Sequence, residues 1–133
     1  MCSSDLRADE TGIDVLGVIP DEALTRELVT AKLLVSPALG GESFGMVLTR
    51  AFACATPVVA SDIPGYAAVA TPDTGTLTPP GDVPALVEAV VSALGDEERR
   101  AWMGAAARAH AEEKYAWTDI ARRLEATYER VAA

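Results

Sequence analysis

The apolar positions of this chain fall in short blocks whose period changes along its length. Residues 33–36 and 57–61 are almost continuously apolar, the mark of strands buried on both faces. The run 14–19, ending at Pro20, predicts a further strand. Gly75–Thr78 predicts a fourth, closed by Pro79-Pro80-Gly81. Between these runs the period lengthens. Asp21 is placed to cap a helix over 21–30, with Glu22 in its first turn. Residues 43–54 predict a second helix, and 63–70 a turn with a short helix. Asp82 caps a helix over 82–94, with Val83, Leu86, Val87, Val90, Val91 and Leu94 on one face. Asp96 caps the next, to about Lys114. Trp117 or Thr118 opens the last, where Ile120, Leu124, Tyr128 and Val131 form one stripe. This alternation predicts an α/β fold, a Rossmann-like parallel sheet flanked by helices. Four strands are few for such a sheet.

One junction in this pattern carries chemistry. Gly40-Gly41-Glu42-Ser43 lies where the strand at 33–36 hands over to the helix at 43–54. Glycines let the backbone approach a ligand closely. The first N–H groups of the helix have no intrahelical acceptor, and the helix dipole adds positive charge there. Such a junction suits an anion such as a diphosphate. In open parallel sheets ligands bind beyond the carboxyl ends of strands, which is where this loop falls. Glu42 suits sugar hydroxyls, because a carboxylate accepts hydrogen bonds and repels phosphate. The combination predicts a nucleotide-sugar site. The Phe44, Met46 and Val47 side chains are expected in the core, leaving their backbone N–H groups to the ligand.

The same stretch resembles a known family. Pro37, Gly41, Glu42, Phe44, Gly45, Val47, Ala51, Ala53, Pro57, Val58, Val59, Ala60, Ser61 and Asp62 reproduce the spacing of the donor-site signature of family 4 glycosyltransferases. These have the GT-B fold. The Gly-Gly-Glu-Ser-Phe-Gly wording is similar to the phosphatidylinositol mannosyltransferase branch, and the resemblance runs through most of the chain after about Asp14. It implies the C-terminal, donor-binding lobe of such an enzyme, in partial form. It implies Glu42, Ser43, Phe44 and Gly45 around the donor sugar, and Gly41, Met46 and Val47 at the diphosphate. Position 50 would sit at the ribose. The family usually has a second glutamate there, whereas this chain has Arg50, a donor-only cation. Read alone, Arg50 is a solvated or salt-bridged helix residue.

The resemblance also implies pieces that this sequence does not match: two upstream strands, an Arg/Lys phosphate clamp, and an N-terminal lobe holding the acceptor site and a histidine. The chain alone is therefore expected not to catalyse. The expected organisation is a non-native leader over 1–6, a nucleotide-sugar-binding lobe over 7–114, and a helix over 115–133 that crosses to the N-terminal lobe. Tyr128 and Val131 would then be left exposed.

Composition narrows the classes. At 133 residues the chain is one domain, and apolar residues are half of it. Aromatics are only 5%, which suits close helix-on-sheet packing rather than a large aromatic pocket. The net charge of −9 argues against nucleic acid and anionic lipid as partners, so no membrane contact is expected from this piece. No run reaches a membrane span and no signal peptide is legible, so a cytoplasmic location is the default. Cys2 and Cys54 do not make a disulfide framework, and Cys54 is expected to be buried. His110 is expected in solvent, and Ser61-Asp62 is expected to cap the turn at Ile63. No cluster has metal-ligand spacing, no serine has the partners of a nucleophilic hydrolase, and the nicotinamide fingerprint is absent.

The leading expectation is a fragment of a retaining hexosyltransferase. Its donor would be a GDP- or UDP-hexose, its acceptor a hydroxyl, and it would need no cofactor and no metal. The alternatives are a non-catalytic nucleotide-sugar-binding module, which Arg50 favours, and an unrelated doubly wound domain of receiver or flavin-binding type.

Overall fold

A computed structural model of the chain describes residues 12–132. The expected leader at 1–6, Cys2 and the start of the expected lobe at residue 7 lie outside them. The elements run α1 (Asp21–Thr30), β1 (Leu34–Ser36), α2 (Met46–Ala53), β2 (Val58–Ser61), α3 (Pro64–Ala67), β3 (Gly75–Thr78), α4 (Val83–Gly95), α5 (Glu97–Tyr115) and α6 (Trp117–Ala132). The three strands form one parallel sheet in the order β1-β2-β3. β2 is the central strand and all four of its residues are buried. That is the result expected for a strand that is apolar at every position.

Leu48, Ala51 and Phe52 of α2 are fully buried and pack with Val58 and Ala60 of β2 and Ala107 and Ala111 of α5. The α2–α5 contact is close because Gly104 meets the backbone carbonyl of Ala55, where a Cβ would collide. Arg108 of α5 donates to the carbonyl of Ala53, satisfying an acceptor that the end of α2 leaves open. Thr56 donates to the carbonyl of Leu28 at 2.6 Å in the interior, tying the end of α1 to the turn before β2.

Several expectations need correction. Residues 14–19 form no strand. Val15, Leu16 and Val18 are exposed, and among the described residues β1 is hydrogen-bonded to β2 alone. An apolar run does not make a strand without a ladder partner. Pro20, not Asp21, occupies the N-cap of α1, and no side chain bonds there. Asp62 caps nothing: Ile63 holds the N-cap of α3 without a side-chain bond, and the Asp62 N–H is used by the Thr78 carbonyl at 2.7 Å. The apolar residues of α4 divide into two faces. Leu86 and Val90 are half-buried, while Val83, Val87, Val91 and Leu94 are exposed. Cys54 is half-buried.

Asp82 and Asp96 do cap α4 and α5, accepting from Ala85 N–H at 3.0 Å and Arg99 N–H at 2.8 Å. α6 carries its stripe in the open, with Leu124, Tyr128 and Val131 exposed. Among the described residues no helix is long and apolar enough to cross a membrane.

Two glycines in helices separate packing from conformational freedom. Gly104→Ala drives a methyl into the Ala55 carbonyl and is expected to cost about 1–3 kcal/mol. Gly95→Ala enters open space at the end of α4 and is expected to stabilise by about 0.5–1 kcal/mol. Urea denaturation midpoints of the two variants check both signs.

Candidate functional site

The site is built by the segment that joins β1 to α2. Gly40 and Gly41 adopt φ of 157° and 82°, and a Cβ on either would meet nothing within 4 Å. The value at Gly41 lies in the left-handed region that favours glycine. Glu42, Ser43 and Phe44 follow on the surface, and Gly45 closes the loop at φ 58° as the N-cap of α2. The helix starts at Met46, three residues later than expected.

No side chain caps α2. Its first carbonyl acceptor, Gly45, takes the Leu48 N–H at 2.9 Å and the Thr49 N–H at 3.3 Å. The Met46 and Val47 amides have no backbone acceptor among the described residues. The first turn contains no acidic residue. The result is a pair of N–H donors at the positive end of a helix dipole, with no carboxylate in that turn to repel an anion.

The loop is held from behind by the start of α3. Gly65 lies so close to it that a Cβ there would collide with the Glu42 carbonyl and come within 3.0 Å of the Phe44 nitrogen. Gly45 sits against the Tyr66 ring, where a Cβ would come within 2.8 Å of the ring and 3.3 Å of the Gly65 carbonyl. Tyr66 is buried, and its hydroxyl hydrogen-bonds the Ser36 hydroxyl at 2.7 Å, at the end of β1. Gly65 and Tyr66 were not legible as site residues. The signal available was the placement of Pro64-Gly65-Tyr66 immediately after the carboxyl end of a buried strand.

The structure brings Gly41, Glu42, Ser43, Phe44, Gly45, Met46 and Val47 together in one surface feature, with only Gly45 buried. The expectation of core side chains fails here. Phe44 is 44%, Met46 64% and Val47 39% exposed. The inward face of α2 is Leu48, Ala51 and Phe52, so positions 46, 47 and 50 fall on its open sides. Phe44 rests edge-on against Tyr115, with ring centroids 5.7 Å apart.

Arg50 is salt-bridged rather than free. Its Nη1 donates to Asp21 Oδ1 at 3.1 Å, and the pair is open to solvent. Such pairs contribute about 0–1 kcal/mol. Both residues line a cleft of about 350 Å³ between α1 and α2, with Leu24, Thr25 and Leu28. A smaller cleft of about 130 Å³ lies at the carboxyl ends of the strands, lined by Pro37, Leu39, Ser61, Thr78 and Asp82 among others.

His110 is not in solvent. It is half-buried between the rings of Phe52 and Tyr115, at 6.2 and 5.6 Å. Burial pushes the Tyr115 phenol up from its ordinary pKa, against a smaller opposing effect of Lys114. Among the described residues no group of three or more His, Cys, Asp or Glu could hold a metal ion.

The family model for glycosyl transferases group 1 matches residues 5–110, which include the loop before α2, α2 itself and α3. The chain belongs to that family. It is 38% identical over 121 residues to a phosphatidyl-myo-inositol mannosyltransferase of Mycobacterium leprae, covering 90% of this chain and 32% of the relative. Among solved structures, sucrose-phosphate synthase from Thermosynechococcus elongatus superposes with a TM-score of 0.82 at 32% identity, over 87% of this chain and 29% of that one. Anabaena HepE in complex with UDP-glucose superposes at 0.72 and 24% identity, over 77% of this chain and 29% of that one. The last shows the fold alone. The chain thus spans about a third of the length of the curated relative, and its sheet and helices are part of a lobe of the GT-B fold.

The close approach at Gly65 gives a direct check on the site. Gly65→Ala is expected to displace the Glu42 carbonyl and the Phe44 amide. In 1H–15N spectra of the free protein the amides of residues 42–45 should move while those of β2 hold their positions. The accompanying loss of stability should be about 1–3 kcal/mol.

Proposed function

We propose that this chain is the donor-binding part of a retaining hexosyltransferase of family 4 type. Its ligand is a nucleoside diphosphate hexose with guanosine or uridine as base. The observation that carries this reading is the pair of unpartnered amides at Met46 and Val47, one residue beyond a glycine-gripped loop that presents Glu42. Transfer of a hexosyl group builds negative charge on the departing diphosphate. Preorganised N–H donors at a helix start stabilise that charge without reorganising. Gly41 lets the diphosphate come close to the backbone. Ser43, Phe44 and Gly45 line the sugar, and the Glu42 carboxylate accepts from its hydroxyls. The mannosyltransferase name of the Mycobacterium leprae relative supports a sugar nucleotide as ligand. The acceptor, and the groups that act on it, belong to a second lobe in this reading, so the isolated chain binds donor without turning it over. No cofactor or metal enters the step.

A second reading is a nucleotide-sugar-binding module that does not catalyse. The Arg50–Asp21 pair favours it, because a cation occupied by a carboxylate stands where the reading above places the ribose. Arg50→Glu alone would set two carboxylates side by side, so the informative variant is Arg50→Glu with Asp21→Asn. If position 50 reads the ribose, this double variant should bind the donor about fivefold more tightly. An unchanged affinity would remove Arg50 from the site.

Calorimetric titration with GDP-mannose, UDP-glucose and the corresponding bare diphosphates tests the main reading. Glu42→Gln should weaken the preferred sugar nucleotide by about tenfold, the scale of a hydrogen bond to a charged group. It should leave the bare diphosphate within about twofold. Equal losses for both ligands would overturn the sugar role of Glu42, and no binding of any nucleotide to the wild type would overturn the reading.

A further inference from the structure

Phe44 is gripped from two sides, and both partners lie far from the loop in the chain. Its backbone nitrogen lies against Gly65, as described above. Its ring stands edge-on to Tyr115, with centroids 5.7 Å apart and planes at 83°. Tyr115 is the last residue of α5, just before the bend at Ala116 that leads into α6. The contact continues inward. Tyr115 packs edge-on against His110 at 5.6 Å, and His110 against Phe52 at 6.2 Å. Phe52 is fully buried in the core. Four rings thus run from the core of α2, through α5, back to the surface loop that precedes α2.

Gly65 holds the loop's backbone at Glu42 and Phe44, while the rest of the loop lies open. Gly40 and Gly41 have open space around them, and Glu42 and Ser43 are exposed. A loop left loose must be ordered when a ligand binds, and that ordering opposes affinity. Edge-to-face ring contacts add a side-chain restraint to that backbone contact, since they fix orientation as well as distance. We infer that Tyr115 is a positioning residue for the donor site. It seats Phe44, thereby fixes the loop carrying Glu42 and Ser43, and links the order of that loop to the joint between α5 and α6. The inference rests on the donor-site reading above, although the link itself is a property of the free protein. Tyr115 acts through its ring contact with Phe44.

The test compares Tyr115→Leu, which keeps apolar bulk, with Tyr115→Phe, which keeps the ring. In the free protein, Tyr115→Leu should shift the amides of residues 42–45 and speed their hydrogen exchange, and Tyr115→Phe should restore both. The preferred sugar nucleotide should bind Tyr115→Leu about three- to tenfold more weakly, with bare diphosphate changed less, and Tyr115→Phe should match the wild type. Loop amides that coincide with the wild type in Tyr115→Leu would overturn the inference. So would equal weakening by both variants. In the wild type, nuclear Overhauser contacts between the Phe44 and Tyr115 ring protons are required, and their absence would overturn it whether or not Tyr115→Leu folds. A wild type that binds no nucleotide, yet shows the ring contacts and the amide shifts, would uphold the link and sink the donor reading alone.

Discussion

The site depends on the contact between two backbones at Gly65. The start of α3 lies so close to the loop before α2 that no side chain fits between them. This fixes the Glu42 carbonyl and the Phe44 amide against the carboxyl end of β2, and so fixes where α2 begins. Tyr66, the next residue, is buried and bonded to Ser36 at the end of β1. One tripeptide therefore registers the ends of two strands and the start of a helix. Core packing by Leu48, Ala51 and Phe52 then holds α2 against β2 and α5. The N–H groups at Met46 and Val47 are rigid because everything behind them is packed. The donors need no side chain of their own, so the net charge of −9 is compatible with the anion site proposed here.

Much of this was legible in the residues. The continuous apolar run at 57–61 placed β2 because a parallel strand covered on both faces leaves little room for polar residues. The run at 33–36 placed β1 but not its burial: β1 is the edge strand of the described sheet, Leu34 and Ser36 are half-buried and Val35 is exposed. Asp82 and Asp96 announced α4 and α5 because a short carboxylate satisfies amides that the helix cannot. The glycine pair before an apolar helical stretch located the loop. What the pattern could not give was anything set by tertiary partners. The run at 14–19 is as apolar as a strand, but it has no ladder. Met46, Val47, Val83, Val87 and Val91 are apolar and exposed, because hydrophobicity does not state which face of a helix meets a neighbour. The sequence points His110 to the surface because the surrounding helix carries Arg108, Glu112, Glu113 and Lys114. Its ring partners, Phe52 and Tyr115, include one 58 positions away in the chain.

Arg50 shows how local chemistry and spatial context divide the work. The sequence marks it as a departure from the family pattern, and the structure gives it a specific partner, Asp21, on a different helix. An exposed pair of this kind adds little stability. Its consequence lies in charge placement: a cation and a carboxylate occupy the face of α2 one turn beyond Met46. The exposed stripes on α4 and α6 have a similar character. They are apolar faces without an internal partner in a chain that spans about a third of its curated relative's length. Within the described residues, α2, α3 and the sheet hold the loop before α2, the loop to which the proposed function assigns the donor.

The most direct test of this account is amide chemical-shift mapping of the wild-type chain with a nucleoside diphosphate hexose. The account predicts the largest changes at the amides of residues 41–47, led by Met46 and Val47, with Gly65 and Tyr66 following because they touch the loop. Changes centred instead on the cleft between α1 and α2, or on the cleft lined by Pro37, Ser61 and Thr78, with the loop silent, would contradict it.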